Sequence, residues 1–233
     1  MSAKRLTLLP SDSIVKTGPY DHADWCYEGL LGYIMRQRYE LVRTMLSEDK
    51  VERLLEIGYG SGIFMPELGK HANQLFGADV HPHAQEVTSA LARCGITADL
   101  RTADAAALPF PDQYFDIVVG VSSLEFIEDL NATCREIARV LKPNGALIVV
   151  TPGASPLLDF GLWLFTRQSA KRDFSGRRDF VVPALHRHFD SVNIIRFPKA
   201  VPSSLTIYRA LKLRPRLQQD RVITVPHGSA GYR

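Results

Sequence analysis

One stretch constrains this chain more than any other: Val51-Glu52-Arg53-Leu54-Leu55-Glu56-Ile57-Gly58-Tyr59-Gly60-Ser61-Gly62, in which a short apolar run closes on an acid and passes into three glycines at alternate positions. Leu54, Leu55 and Ile57 have the character of a buried strand in a parallel sheet, and Ile63 to Gly69 continues with helical character. The glycines therefore mark a strand-to-helix junction. Without a Cβ they admit positive φ and let a ligand approach the backbone. The dinucleotide pattern G-x-G-x-x-G is not met, because Ile63 stands where its third glycine would be and Gly62 comes one residue early. Glu56, two residues before the first glycine, would repel a pyrophosphate, and an acid there suits a cationic ligand.

The 233 residues, 45% apolar and 23% charged, suffice for one substantial core, and a net charge of +3 gives no global signal for nucleic acid. Cys26, Cys94 and Cys134 form no C-x-x-C and have no histidine at zinc spacing, so neither a disulfide framework nor a metal site is expected. The apolar run after Lys4 and Arg5 is too short for a signal peptide, and Leu157 to Phe165 falls far short of the roughly 20 residues that cross a bilayer. A cytoplasmic location is the expectation.

Glu56 to Gly62 resembles motif I, E/D-x-G-x-G-x-G, of the class I S-adenosylmethionine (SAM) methyltransferases, in particular the small-molecule "type 11"-like members that include quinone-biosynthesis methyltransferases. Further matches follow in order. Ala103-Asp104-Ala105-Ala106-Ala107-Leu108-Pro109-Phe110 is similar to the family's G-D-A-x-x-L-P-F, with Ala103 in place of glycine, and Phe115-Asp116-Ile117-Val118 to its F-D-x-V. Glu136 to Thr151 resembles its helix, turn and fifth strand. Ser122 to Asp129 departs from x-x-L-E-H-x-x-D, since Phe126 replaces the histidine and removes a ready-made base.

The resemblance implies an α/β fold: a Rossmann-like three-layer sandwich on a seven-stranded, mostly parallel sheet closed by an antiparallel hairpin. Residues 1–46 are expected to form a leader and an N-terminal helical cap, and 47–233 the methyltransferase domain with an insertion over about 152–190. Asp79 ends a second strand, at the interval a βαβ unit imposes after the glycine turn, where a carboxylate accepts both ribose hydroxyls of an adenosine. Asp104 and Ala105 are assigned by resemblance to the base, with Val80 and Leu108 packing near the ring. The cofactor set is then Glu56, Gly58, Tyr59, Gly60, Gly62, Asp79, Val80, Asp104, Ala105 and Ser122, with SAM as cofactor and no metal.

Along the rest of the chain, residues 1 to 19 read as a loosely held leader, and Tyr20 to Leu46 as two helices or one bent near Gly32. A third strand is expected over Ile96 to Leu100, a turn at Pro143-Asn144-Gly145 ending a helix, and loose attachment from Lys212 onward. Residues 157–178 join an apolar block to a basic one. Such a stretch meets an anionic lipid surface or a hydrophobic acidic substrate, or packs its own aromatics and solvates its charges. The expected activity is methyl transfer to a small-molecule or lipid-like acceptor, at oxygen or carbon, with Tyr20, His22 and Glu125 as candidate catalytic groups. The alternatives are a non-catalytic SAM binder of the same fold and a nicotinamide oxidoreductase.

Overall fold

The structure is a computed structural model and describes residues 5–19, 21–153, 177–202 and 205–216. Seven strands, β1 (Val51–Ile57), β2 (Ala72–Asp79), β3 (Asp99–Thr102), β4 (Phe115–Val121), β5 (Leu141–Pro152), β6 (Phe189–Phe197) and β7 (Tyr208–Pro215), form one sheet in the order β3-β2-β1-β4-β5-β7-β6. The first five are parallel; β7 runs antiparallel to both β5 and β6.

Alternation along β1 divides the core between the two faces of the sheet. Leu54 packs on one face with α1 (Gly29–Arg43), α2 (Met65–Leu68) and α3 (Ala84–Arg93), through Val42, Leu68, Val87 and Leu91. Leu55 and Ile57 pack on the other with α4 (Leu130–Val140) and α5 (Arg178–His188), through Ile137, Val140 and Leu185. This is the three-layer sandwich expected of a parallel sheet, whose central strands read as continuous apolar runs because both faces are covered. Chain order reverses between β1 and β4, and the crevice at their carboxyl ends is where such sheets take ligands.

The Asp of F-D-x-V is structural. Asp116 accepts from the backbone N–H of Arg53 at 2.8 Å and from Lys142 Nζ at 2.6 Å, tying β1, β4 and the start of β5 together. Around it the β4–β5 register shifts between Phe115 and Ile117. The turn expected to end a helix at Pro143-Asn144-Gly145 is instead this irregularity inside β5, since α4 stops at Val140 and Leu141 is already extended.

Other expectations shift for physical reasons. β3 begins at Asp99 rather than Ile96, because Gly95 at φ +76° ends the α3 turn and the chain needs three more residues to reach the sheet edge. Lys212 to Pro215 are strand, not a loose tail. The cap is a 3-10 turn, Ala23–Tyr27, followed by α1; Gly32 lies inside that helix, where any Cβ would come within 2.7 Å of the Cys26 carbonyl oxygen.

The leader is not loosely held. Leu9 is fully buried, its N–H donates to Ile63 O at 2.9 Å, and the N–H of Thr7 donates to Glu67 Oε2 at 2.8 Å. The first residues thus strap the helix that follows the glycine turn. Leu9→Ala is therefore expected to destabilise the fold by about 2–4 kcal/mol in denaturant unfolding, as for a core leucine; an unchanged midpoint would restore the loose leader.

Candidate functional site

A cleft of about 1020 Å³ opens at the carboxyl ends of β1, β2 and β4. One wall is the glycine turn and the ends of β2 and β3, with Gly58, Gly60, Asp79, Val80, Asp104 and Ala105 on its surface; Ser122 and Ser123 form its floor. The opposite half comes from the cap, with Trp25, Leu31, Ile34 and Met35 as apolar lining, joined by Ile207 just before β7.

The three glycines have different duties, all at positive φ. A Cβ on Gly58 would collide with Ser123, so this residue lets β1 pass the β4 loop, while one on Gly62 would lie 2.9 Å from Val87 Cγ1 in α3. A Cβ on Gly60 would meet only Thr17 Oγ1, at 4.0 Å. Gly60 is thus the glycine left bare toward the cleft, and its N–H donates to Asp79 Oδ2 at 2.9 Å. Gly58 N–H donates to Ala78 O at 2.8 Å, continuing the β1–β2 ladder into the turn and bringing the two strand ends into register.

Asp79 has one oxygen held by the turn and the other near the N–H of His81 at 3.4 Å, leaving lone pairs for hydroxyl donors. Val80 beside it is 71% exposed, an apolar side chain standing uncovered on a cleft wall. Asp104 is exposed, with Oδ1 accepting from the N–H of Ala106 at 2.8 Å, which orients the carboxylate. Leu108, expected near the ring, is buried in the opposite-face core, and its N–H donates to Glu136. Ser122 adopts φ +50°, a left-handed conformation that costs a non-glycine residue about 1–2 kcal/mol. This kink turns the chain from β4 across the cleft floor.

Four predicted residues stand behind the wall. Gly62 and Tyr59 pack inward, the Tyr59 ring edge-on to His81 at 4.9 Å. Glu56 is 3% exposed and lies on the cap side of β1; burial pushes its carboxyl well above the usual range, the charge of Asp79 adds to this, and the Arg38 guanidinium offsets part of it. The acid of motif I therefore does not reach the cleft. Glu125 is equally buried, facing Thr151 without a hydrogen bond of ordinary geometry, and burial raises its carboxyl to about 7 against the pull of Thr151 and of Arg178 and Arg38. His22 does line the cleft, its ring stacked on Trp25 at 4.0 Å. Tyr20 lies outside the described residues.

Among the cleft residues that the sequence reading missed are Arg38 and His81. Arg38 falls three or four residues after Ile34 and Met35 and so shares their inward stripe; the spacing was the available signal. Its guanidinium is placed on Tyr39 OH at 3.0 Å, and its Nε has no partner among the described residues.

The family described as "Methyltransferase domain" matches residues 55–149. By that match, residues 55–149 carry the pattern of a methyltransferase domain. The domain is similar to a sterol 4-C-methyltransferase of Caenorhabditis elegans (35% identity over 98 residues, 41% of this chain and 29% of that one). It is also similar to a ubiquinone biosynthesis O-methyltransferase of Cereibacter sphaeroides (31% over 105 residues, 45% and 42%). The chain spans less than half the length of these curated relatives in the match. In fold it resembles the geranyl diphosphate C-methyltransferase of Streptomyces coelicolor A3(2), at a TM-score of 0.62 and 14% identity over 92% of this chain and 90% of that one.

The residues of the cleft fit SAM, the cofactor of that family. The Gly60 Cα borders open space, an oriented carboxylate ends β2, an uncovered valine adjoins it, and half-buried Arg38 offers positive charge to a carboxylate. Asp79→Ala should weaken binding of S-adenosylhomocysteine by tenfold or more in calorimetry. Gly60→Ala meets no neighbour but puts an alanine at φ +51°, a cost of about 1–2 kcal/mol; it should fold with that loss and bind at least as poorly. Glu125 gives a pH prediction for stability. Its carboxyl holds the proton to about 7 when folded against 4.5 ordinarily, so its stabilising contribution is complete below 4.5 and is lost as pH rises through 7. Glu125→Gln removes that loss and should stabilise the fold by about 3 kcal/mol at pH 8, with little difference near pH 4; equal stability of the two proteins at both pH values would place the carboxylate in water.

Proposed function

We propose that the protein transfers the methyl group of SAM to oxygen or carbon of a small, largely apolar acceptor. The observation that carries this reading is the continuity of the cleft. At about 1020 Å³ it reaches the top of the range for single ligand sites, and it joins the nucleoside wall to an apolar half made by the cap. There is room for two molecules laid end to end. The similar proteins named for sterols, ubiquinone biosynthesis and geranyl diphosphate fit an acceptor of this kind.

The roles divide accordingly. Asp79 accepts from the sugar hydroxyls, Asp104 and the N–H of Ala105 meet the base, and Val80 lies along it. Bound SAM supplies an electrophilic methyl on a sulfonium. What remains for the chain is to hold the acceptor in line with the breaking bond and to keep water out, which orientation in a closed site does at large effective molarity. Trp25, Leu31, Ile34 and Met35 serve this by covering the acceptor with apolar surface. His22, in the cap half and braced by Trp25, is the group placed to take a proton from an acidic acceptor. Glu125 does not line the cleft, which leaves His22 as the described candidate.

The second reading, a SAM binder without chemistry, rests on the missing histidine at Phe126. One experiment separates the two. Protein incubated with methyl-labelled SAM and a metabolite and lipid extract should label an apolar acceptor. His22→Ala should cut the rate by on the order of 10²-fold while S-adenosylhomocysteine affinity stays put. Tight cofactor binding with no labelled product from any extract would favour the binder, and label confined to RNA or protein would refute the acceptor class.

A further inference from the structure

One residue, His81, holds Gly60 through its ring and approaches Asp79 through its backbone N–H. Its Nε2 lies 3.0 Å from the Gly60 carbonyl oxygen and 3.7 Å from Asp79 Oδ2; its Nδ1 lies 3.2 Å from the backbone nitrogen of His83. Its own N–H approaches Asp79 Oδ1 at 3.4 Å, and its carbonyl accepts from Thr102 Oγ1 at 2.9 Å. The ring is 9% exposed, packs against Tyr59 at 4.9 Å and borders the cleft.

The partners fix the tautomer. A carbonyl oxygen only accepts, so Nε2 carries the proton; a backbone N–H only donates, so Nδ1 is bare. The arrangement therefore requires the neutral imidazole. The titratable groups facing the ring are Asp79 from β2, Tyr59 from the glycine turn, and His83 and Glu86 at the start of α3. A second proton on Nδ1 would set two N–H groups against each other at His83. The freed cation would turn toward the Asp79 carboxylate, the nearest anion, and compete for it with any hydroxyl donor.

We propose that His81 is a positioning residue of the cofactor wall: its neutral ring holds the Gly60 carbonyl and so fixes the backbone whose N–H orients the Asp79 carboxylate, and the nucleoside binds more tightly to this form than to the doubly protonated one. The inference deepens the SAM reading of the same site and rests on it. It adds a pH response that the glycine turn and Asp79 alone do not contain.

The two nitrogens are separable by substitution, since glutamine places an amide N–H near Nε2 and asparagine places a carbonyl near Nδ1. Calorimetry would use S-adenosylhomocysteine and 5′-methylthioadenosine, the latter lacking the amino acid and so not titrating over the range from about pH 8 to about pH 5.5 where histidine changes charge. For the wild type, affinity for both should fall about tenfold or more on acidification. His81→Gln should bind within about threefold of wild type at pH 8 and lose the acid response, whereas His81→Asn should be weaker by about tenfold at both ends. The ¹⁵N spectrum of histidine-labelled wild type should show an Nε2–H ring for His81, a readout that needs no variant to fold. An Nδ1–H ring, a pH-independent wild-type affinity, or Asn binding as well as Gln would overturn the role of His81. Failure of the wild type to bind either compound at pH 8 would instead overturn the cofactor reading, and this inference with it.

Discussion

The hydrogen bond from the Gly60 N–H to the Asp79 carboxylate, 2.9 Å long, is the contact on which the site depends. It joins a turn after β1 to the last residue of β2, so it forms only if the two strands end level. The parallel register from Val51↔Ala72 to Ile57↔Ala78, extended by Gly58 N–H to Ala78 O, brings them level. Three left-handed glycines then fold the chain back tightly enough for the amide to face the acid. A carboxylate accepting a backbone N–H is a charge-assisted bond, among the stronger kinds, and it fixes the acid's direction before any ligand arrives. Preorganisation of this sort limits what binding loses in ordering the site.

The rest of the fold holds that contact in place and encloses it. Asp116 anchors the β1–β4–β5 side, and the arm with Leu9 and Thr7 straps the helix after the turn through Ile63 and Glu67. The arm leads on to the loop at Thr17 and Asp21, whose side chains bond at 2.9 Å, and so to His22 and Trp25 over the cleft. Core packing and cap position are thereby linked: the segment that completes one apolar face is continuous with the one that shapes the acceptor half.

How much of this was legible in the sequence follows from what each feature demands of residue type. Gly60 and Asp79 were readable because a left-handed turn open to a ligand accepts little but glycine, and because strand spacing sets where an acid can stand. The seven-stranded, mostly parallel sheet with its antiparallel hairpin came with the resemblance, while the strand order did not. Direction was harder to read. Glu56, Tyr59, Gly62 and Glu125 belong to the right stretches but face inward, since alternation tells which residues share a side and not which side meets ligand. Arg38 and His81 belong to no motif; their importance comes from neighbours distant in the chain. Leu9 was lost in the leader because an apolar run as short as Leu6, Leu8 and Leu9 has no periodicity to mark a buried face.

The central claim is that this preset turn and its acid seat the sugar of S-adenosylmethionine. The most direct measurement is a crystal structure of the protein grown with S-adenosylhomocysteine. The account predicts both ribose hydroxyls on the Asp79 carboxylate, the base against Val80 with Asp104 at its edge, and the Gly60–Asp79 bond intact. An empty cleft at saturating ligand, or a nucleoside bound away from Asp79, would contradict it.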